Sequence, residues 1–151
     1  MSGAKLLVIG AGNELRRDDA AGLETARRLS GLSGVEVREA RGDMTSLADL
    51  WDAADRVVVV DAARSGAAPG SVHRFDATSD ALPAAFGHGS THALGVADAI
   101  ELARALGRLP SKLIVYGIEG EDFSAGEGMS DAVAAAVDEA ATRIAEEIPG
   151  A

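Results

Sequence analysis

Apolar and polar positions change period several times along the chain, and each change marks an element. Leu6–Ile9 is an unbroken apolar run ending in Gly10, the pattern of a strand covered on both faces. From Asp18 to Leu29, the residues Ala20, Ala21, Leu23, Ala26 and Leu29 fall near the helical period, which predicts a helix. Val35-Glu36-Val37-Arg38 alternates and predicts a second strand. Leu47, Leu50 and Trp51 give Thr45–Trp51 an apolar helical face, with Asp43 or Thr45 as its cap. Arg56–Asp61 contains four consecutive valines, which are β-branched and predict a fully covered strand. Ser71–Phe75 is a fourth strand, reached through Pro69-Gly70. Asp80–Phe86 is expected to form a helical turn, and Gly87-His88-Gly89-Ser90 a flexible link. Thr91–Leu106 reads as an amphipathic helix stopped by Gly107 and Pro110. Lys112–Tyr116 is a fifth strand, followed by a Gly-rich acidic loop from Glu119 to Met129. Ser130 is expected to cap a last helix running to about Glu147.

Strands alternating with helices predict an α/β fold. The expected architecture is a three-layer sandwich, with a five-stranded, mostly parallel twisted sheet and helices on both faces. Residues 1–151 form one domain, a length able to bury its own core. Sites in such sheets form outside the carboxyl ends of the strands. The loop after Ile9, Asp61 and the loop after Tyr116 all fall there.

Composition narrows the chemistry. With no cysteine, disulfides, thiolate catalysis and iron–sulfur clusters are excluded. Any metal is held by oxygen and imidazole ligands. The formal net charge of −10 disfavours nucleic acid and anionic membrane partners, whose phosphates need clustered Lys and Arg. No apolar run approaches a membrane span, and the first strand is too short for a signal segment. A cytoplasmic protein is expected. No exposed apolar helix face demands a partner, and a monomer is expected.

Gly10-Ala11-Gly12 between a strand and a helix suggests a dinucleotide fingerprint, but the third glycine is replaced by Leu15. Two aspartates at the helix start would also repel a pyrophosphate. Gly-x-Ser-x-Gly, His-Glu-x-x-His and P-loop patterns are absent. What remains is a carboxylate at the first strand–helix turn (Asp18 or Asp19), Asp61 at the end of the valine strand, and His92 after the glycine-rich link. An acid at a helix start also complements the helix dipole, and spacing alone does not choose between Asp18 and Asp19. Asp61 could equally close a turn, and a lone His92 could be a surface residue. His88 lies four residues earlier, but Gly87 and Gly89 argue against a helical histidine pair. His73 lies within a strand and has no obvious partner. Two carboxylates and an imidazole meeting at one edge could hold a metal ion or run acid–base chemistry.

These residues sit in four motifs that resemble the hydrogenase maturation endopeptidases, which trim the carboxyl-terminal extension from nickel–iron hydrogenase large subunits. The motifs are Gly10-Ala11-Gly12-Asn13 with Asp18-Asp19 and Gly22; Val60-Asp61-Ala62; Ser90-Thr91-His92 with Leu94-Gly95 and Asp98-Ala99; and Gly117-Ile118-Glu119 with Gly126-Glu127-Gly128-Met129-Ser130. The resemblance spans nearly the whole chain. It implies that Asp19, Asp61 and His92 are the metal ligands, and so selects Asp19 over Asp18. Position 19 is Asp where some relatives have Glu, and position 20 is Ala where many have Gly; neither change removes a ligand.

The resemblance further implies an aspartic-type endopeptidase with Asp19 and Asp61 as catalytic residues, and a hydrogenase large-subunit precursor as partner. Nickel would arrive with that precursor, another divalent ion being able to substitute, and would act as the recognition signal. A carboxylate acting as base toward water and an ion polarising the carbonyl are both open as the hydrolytic step. Asn13 could orient a ligand across the site or only shape the turn. Glu119 could contact substrate, although the reading favoured by its neighbours is a solvated loop acid. A non-catalytic nickel-binding adaptor or chaperone, and a processing peptidase for another metalloprotein, are the alternative functions.

Overall fold

The continuous apolar runs become the centre of a sheet. The computed structural model describes residues 5–42, 44–83 and 95–149. Among the described residues five strands, β1 (Leu6–Ala11), β2 (Val35–Ala40), β3 (Arg56–Ala63), β4 (Val72–Asp76) and β5 (Lys112–Glu119), are arranged in the order β2-β1-β3-β5-β4. All pairings are parallel except that of β4, which runs antiparallel to β5. The register aligns Arg38, Ile9, Val59 and Val115 across four strands. The α-helices are α1 (Ala21–Leu29), α2 (Leu47–Trp51), α3 (Val96–Ala105) and α4 (Asp131–Ala145).

Alternate residues of each strand feed two cores. Leu7, Ile9, Val57, Val59, Leu113 and Val115 pack under α2 and α3, with Leu47, Trp51, Ile100 and Ala103. Leu6, Val8, Val58, Val60, Ile114 and Ile118 pack under α1 and α4, with Ala26, Leu29, Val133, Val137 and Ile144. The three-layer α/β architecture read from the sequence is therefore present.

Several boundaries move. The helix expected over 18–29 begins as a 3-10 turn, Arg17–Ala20, before α1. That expected over 45–51 likewise opens with a 3-10 turn, Met44–Ser46, and its proposed cap Asp43 lies outside the described residues. Gly95 is extended (φ −84°, ψ 176°), so α3 starts at Val96 rather than within 91–95; residues 91–94 lie outside the described residues. Residues 80–83 form no helical turn, and the rest of that turn and the Gly87–Ser90 link lie outside the described residues. Both β3 and β5 run past their apolar cores, to Ala63 and Glu119. Ser130 stands at the N-cap position of α4, but its side chain caps nothing.

At its start, α1 approaches the sheet main chain to main chain. A Cβ on Gly22 would lie 2.2 Å from the Val60 carbonyl oxygen and 2.4 Å from that of Ala11. Gly22 thus provides the close helix–strand approach that the dinucleotide fingerprint would place at position 15. Among the described residues no helix is long and apolar enough to cross a membrane.

Candidate active site

The turn that carries Asp19 is shaped locally. The Leu15 amide donates to Asn13 Oδ1 at 2.9 Å, an Asx turn, and the Arg16 amide donates to the Asn13 carbonyl at 3.1 Å. The Asn13 amide donates to the Asp19 carbonyl at 3.3 Å, so the loop closes on itself. This requires the main chain of Gly12 to pass under Asp19: φ is +152°, and a Cβ would lie 2.0 Å from the Asp19 carbonyl oxygen. Asn13 therefore shapes the turn. The result is a buried Asp19, only 4% exposed, at the entrance of α1.

Asp61 is partly buried at the carboxyl end of β3, in register with Gly117. Its Oδ1 accepts the Ala62 amide at 2.9 Å. Burial, and then the negative charge of Asp19, push its pKa up to about 8, against the smaller pull of that amide. Asp19 is therefore close enough for its charge to act on the Asp61 carboxyl. His92, the third residue of the set, lies outside the described residues. Among the described residues no three His, Asp or Glu side chains gather as a metal site. Two carboxyl groups within reach of each other's field supply oxygen donors of the kind a divalent cation accepts.

Asp18 faces the other way. It is fully buried, and its Oδ2 accepts the amides of Glu121 (2.8 Å) and Asp122 (2.9 Å) and the hydroxyl of Ser130. Its Oδ1 accepts the Ser130 amide at 2.8 Å. Burial alone would raise its pKa, but the Ser130 hydroxyl and the three amides outweigh it and hold the carboxyl below its ordinary value. Ser130 is thus diverted from capping α4. The same rim is stitched by Arg17 N to Gly126 O (3.1 Å), Gly126 N to Leu15 O (2.8 Å) and Asp18 N to Asp122 O (3.0 Å).

Glu119 overturns the reading of a solvated loop acid. It is the last residue of β5, 2% exposed. Its carboxylate accepts the Ser65 amide (2.7 Å), the Ser65 hydroxyl (2.6 Å) and the Gly66 amide (3.2 Å). His73, which had no obvious partner in the sequence, sits with Nε2 3.3 Å from Glu119 Oε1 and stacks on Phe75. Glu119 therefore ties the chain leaving β3, four residues beyond Asp61, to β4. The alternation of β4 gave His73 its face, but nothing local announced Ser65.

A mostly parallel α/β sheet with Asp19 and Asp61 at its carboxyl edge places the chain among the α/β proteins whose sites are built at strand ends. Known proteins sharpen that class. The chain belongs to the hydrogenase maturation protease family, which matches residues 32–147. It is 28% identical to the hydrogenase 2 maturation protease of Escherichia coli K12, covering 93% of this chain and 88% of that protein. It superposes on the hydrogenase maturating endopeptidase HybD from E. coli with a TM-score of 0.77 at 28% identity, covering 95% and 91% of the two chains. For the [NiFe] hydrogenase maturation protease HybD from Thermococcus kodakarensis the TM-score is 0.72 at 27% identity, covering 95% and 99%. The family resemblance carried by the four motifs is borne out.

Proposed function

We propose that this protease removes the carboxyl-terminal extension of a nickel–iron hydrogenase large-subunit precursor and reads the nickel carried by that precursor as its recognition signal. The observation that carries the reading is that the Asp19 charge reaches the Asp61 carboxyl at the end of β3, on the edge where His92 is expected to join them. The precursor's nickel is the cation these residues receive, and its arrival turns their repulsion into attraction. The names of the relatives support hydrogenase processing as the task.

The reaction is of the aspartic type in this reading. Asp61 holds a proton up to about pH 8 because burial, and then the Asp19 charge, disfavour its ionised form. An acid beside a base is the arrangement that lets one carboxylate draw a proton from attacking water while its neighbour supports the developing charge.

The test is incubation of a nickel-loaded precursor with purified protein, read by intact mass. Asp19→Asn, Asp61→Asn and His92→Ala should each fold as the parent does and lose cleavage by at least about 100-fold. Normal processing by all three variants would overturn the assignment.

A further inference from the structure

We propose that Asp18 is a positioning residue, which locks the turn bearing Asp19 to the acidic loop 120–130 so that site and rim form one body. The proposal rests on the reading of Asp19 given above. Four donors converge on the Asp18 carboxylate, three amides and one hydroxyl, and all come from residues 121, 122 and 130. None comes from the helix that Asp18 precedes, where a dipole-complementing acid would find its partners. A carboxylate with this donor set is over-determined for holding one segment against another.

The surrounding main chain agrees. The Arg16–Gly126 bridge and the bonds Arg17 N to Gly126 O and Asp18 N to Asp122 O run along the same seam. Arg17 takes a positive φ of 45° to follow it. A side chain on Gly120 would strike the Phe123 ring at 2.4 Å and come within 3.2 Å of the Asp18 Cβ, so the loop is seated closely against the clamp. Because Asp19 is the next residue in the chain, its main chain is placed by whatever holds Asp18. The loop 120–130 thereby gains a role that the sequence alone could not assign: contact made on it is felt at Asp19.

Asp18→Asn keeps the shape but turns an NH2 toward amides that need an acceptor, so the seam opens. Ser130→Ala removes one of the four donors, and Ser130→Thr keeps the hydroxyl. The measurements are nickel(II) affinity by calorimetry and precursor cleavage by intact mass, on full-length proteins shown to be folded by circular dichroism and assayed well below their melting temperatures. We expect Asp18→Asn to weaken nickel binding and cleavage together by 10-fold or more, Ser130→Ala to lower both by about 3-fold, and Ser130→Thr to match wild type. A purely structural Asp18 would lower the melting temperature of Asp18→Asn while leaving affinity and cleavage per folded molecule unchanged, which would overturn the proposal. If Asp18→Asn is unfolded, the Ser130 pair decides by the same readouts. Wild-type protein that neither binds nickel nor cleaves would instead refute the underlying reading of Asp19.

Discussion

The Asp61 carboxyl is strongly perturbed, and its perturbation has a sign that stability measurements can read. In the unfolded chain its pKa is near 3.8, and in the folded protein about 8. Between those values the folded state holds a proton that the unfolded state has lost, so stability falls as pH rises. The contribution is complete below about pH 3.8 and gone above about pH 8. Asp18 has the opposite sign, since its lowered pKa adds stability that is lost on acidification. Comparing wild type with Asp61→Asn cancels the Asp18 contribution. The variant should be more stable at pH 8 by on the order of a few kcal/mol, with the difference shrinking toward pH 4. Melting temperature against pH checks this, and parallel curves for the two proteins would count against it. Asp61 was legible in the sequence because it ends an uninterrupted valine run. Choosing between Asp18 and Asp19 was not legible from spacing, because the partners of Asp18 lie 103 to 112 residues away. Glu119 was misread for a related reason: Gly117 breaks the apolar pattern two residues before it, yet the strand continues because β3 and β4 flank it on both sides.

At the scale of elements, the relation of α1 to the sheet decides where Asp19 stands. Gly22 lets the helix start rest on the carbonyls of Val60 and Ala11, the residues beside Asp61 and Gly12. Gly22→Ala puts a methyl group where two main-chain oxygens already are, so helix and sheet must separate. Overpacking of this kind costs about 1–3 kcal/mol. Urea unfolding should show that loss, and cleavage should fall further than stability does, because the separation acts on the Asp19–Asp61 approach. An unchanged midpoint would mean that the helix shifts freely. Helix existence was legible from periodicity here, and helix starts were not. α1 and α2 open as 3-10 turns without a side-chain cap, and α3 waits until after an extended Gly95, whose amide donates to Asp98 Oδ2. Ser130 is the clearest case: a residue with good capping chemistry spends its hydroxyl on Asp18 instead.

For the molecule as a whole, one sheet supports two cores, so neither layer has an independent scaffold. Trp51, the single tryptophan, reports the layer of α2 and α3, while helix content is divided between both layers. Tryptophan fluorescence and far-ultraviolet circular dichroism should therefore lose signal at one shared denaturant midpoint. Separate midpoints would show layers that melt alone. The α/β class was legible because strand and helix periods alternate. The antiparallel turn of β4 follows from length: residues 64–71 are too few for the crossover of a dozen or more residues that a parallel return needs. That strand order leaves β2 and β4 at the two open margins. β2 carries Glu36, Arg38 and Glu39, and β4 carries Arg74 and Asp76. Another copy of the chain can extend the sheet only by desolvating these charges. The charged margins therefore act as stops against copy-on-copy growth of an otherwise apolar sheet.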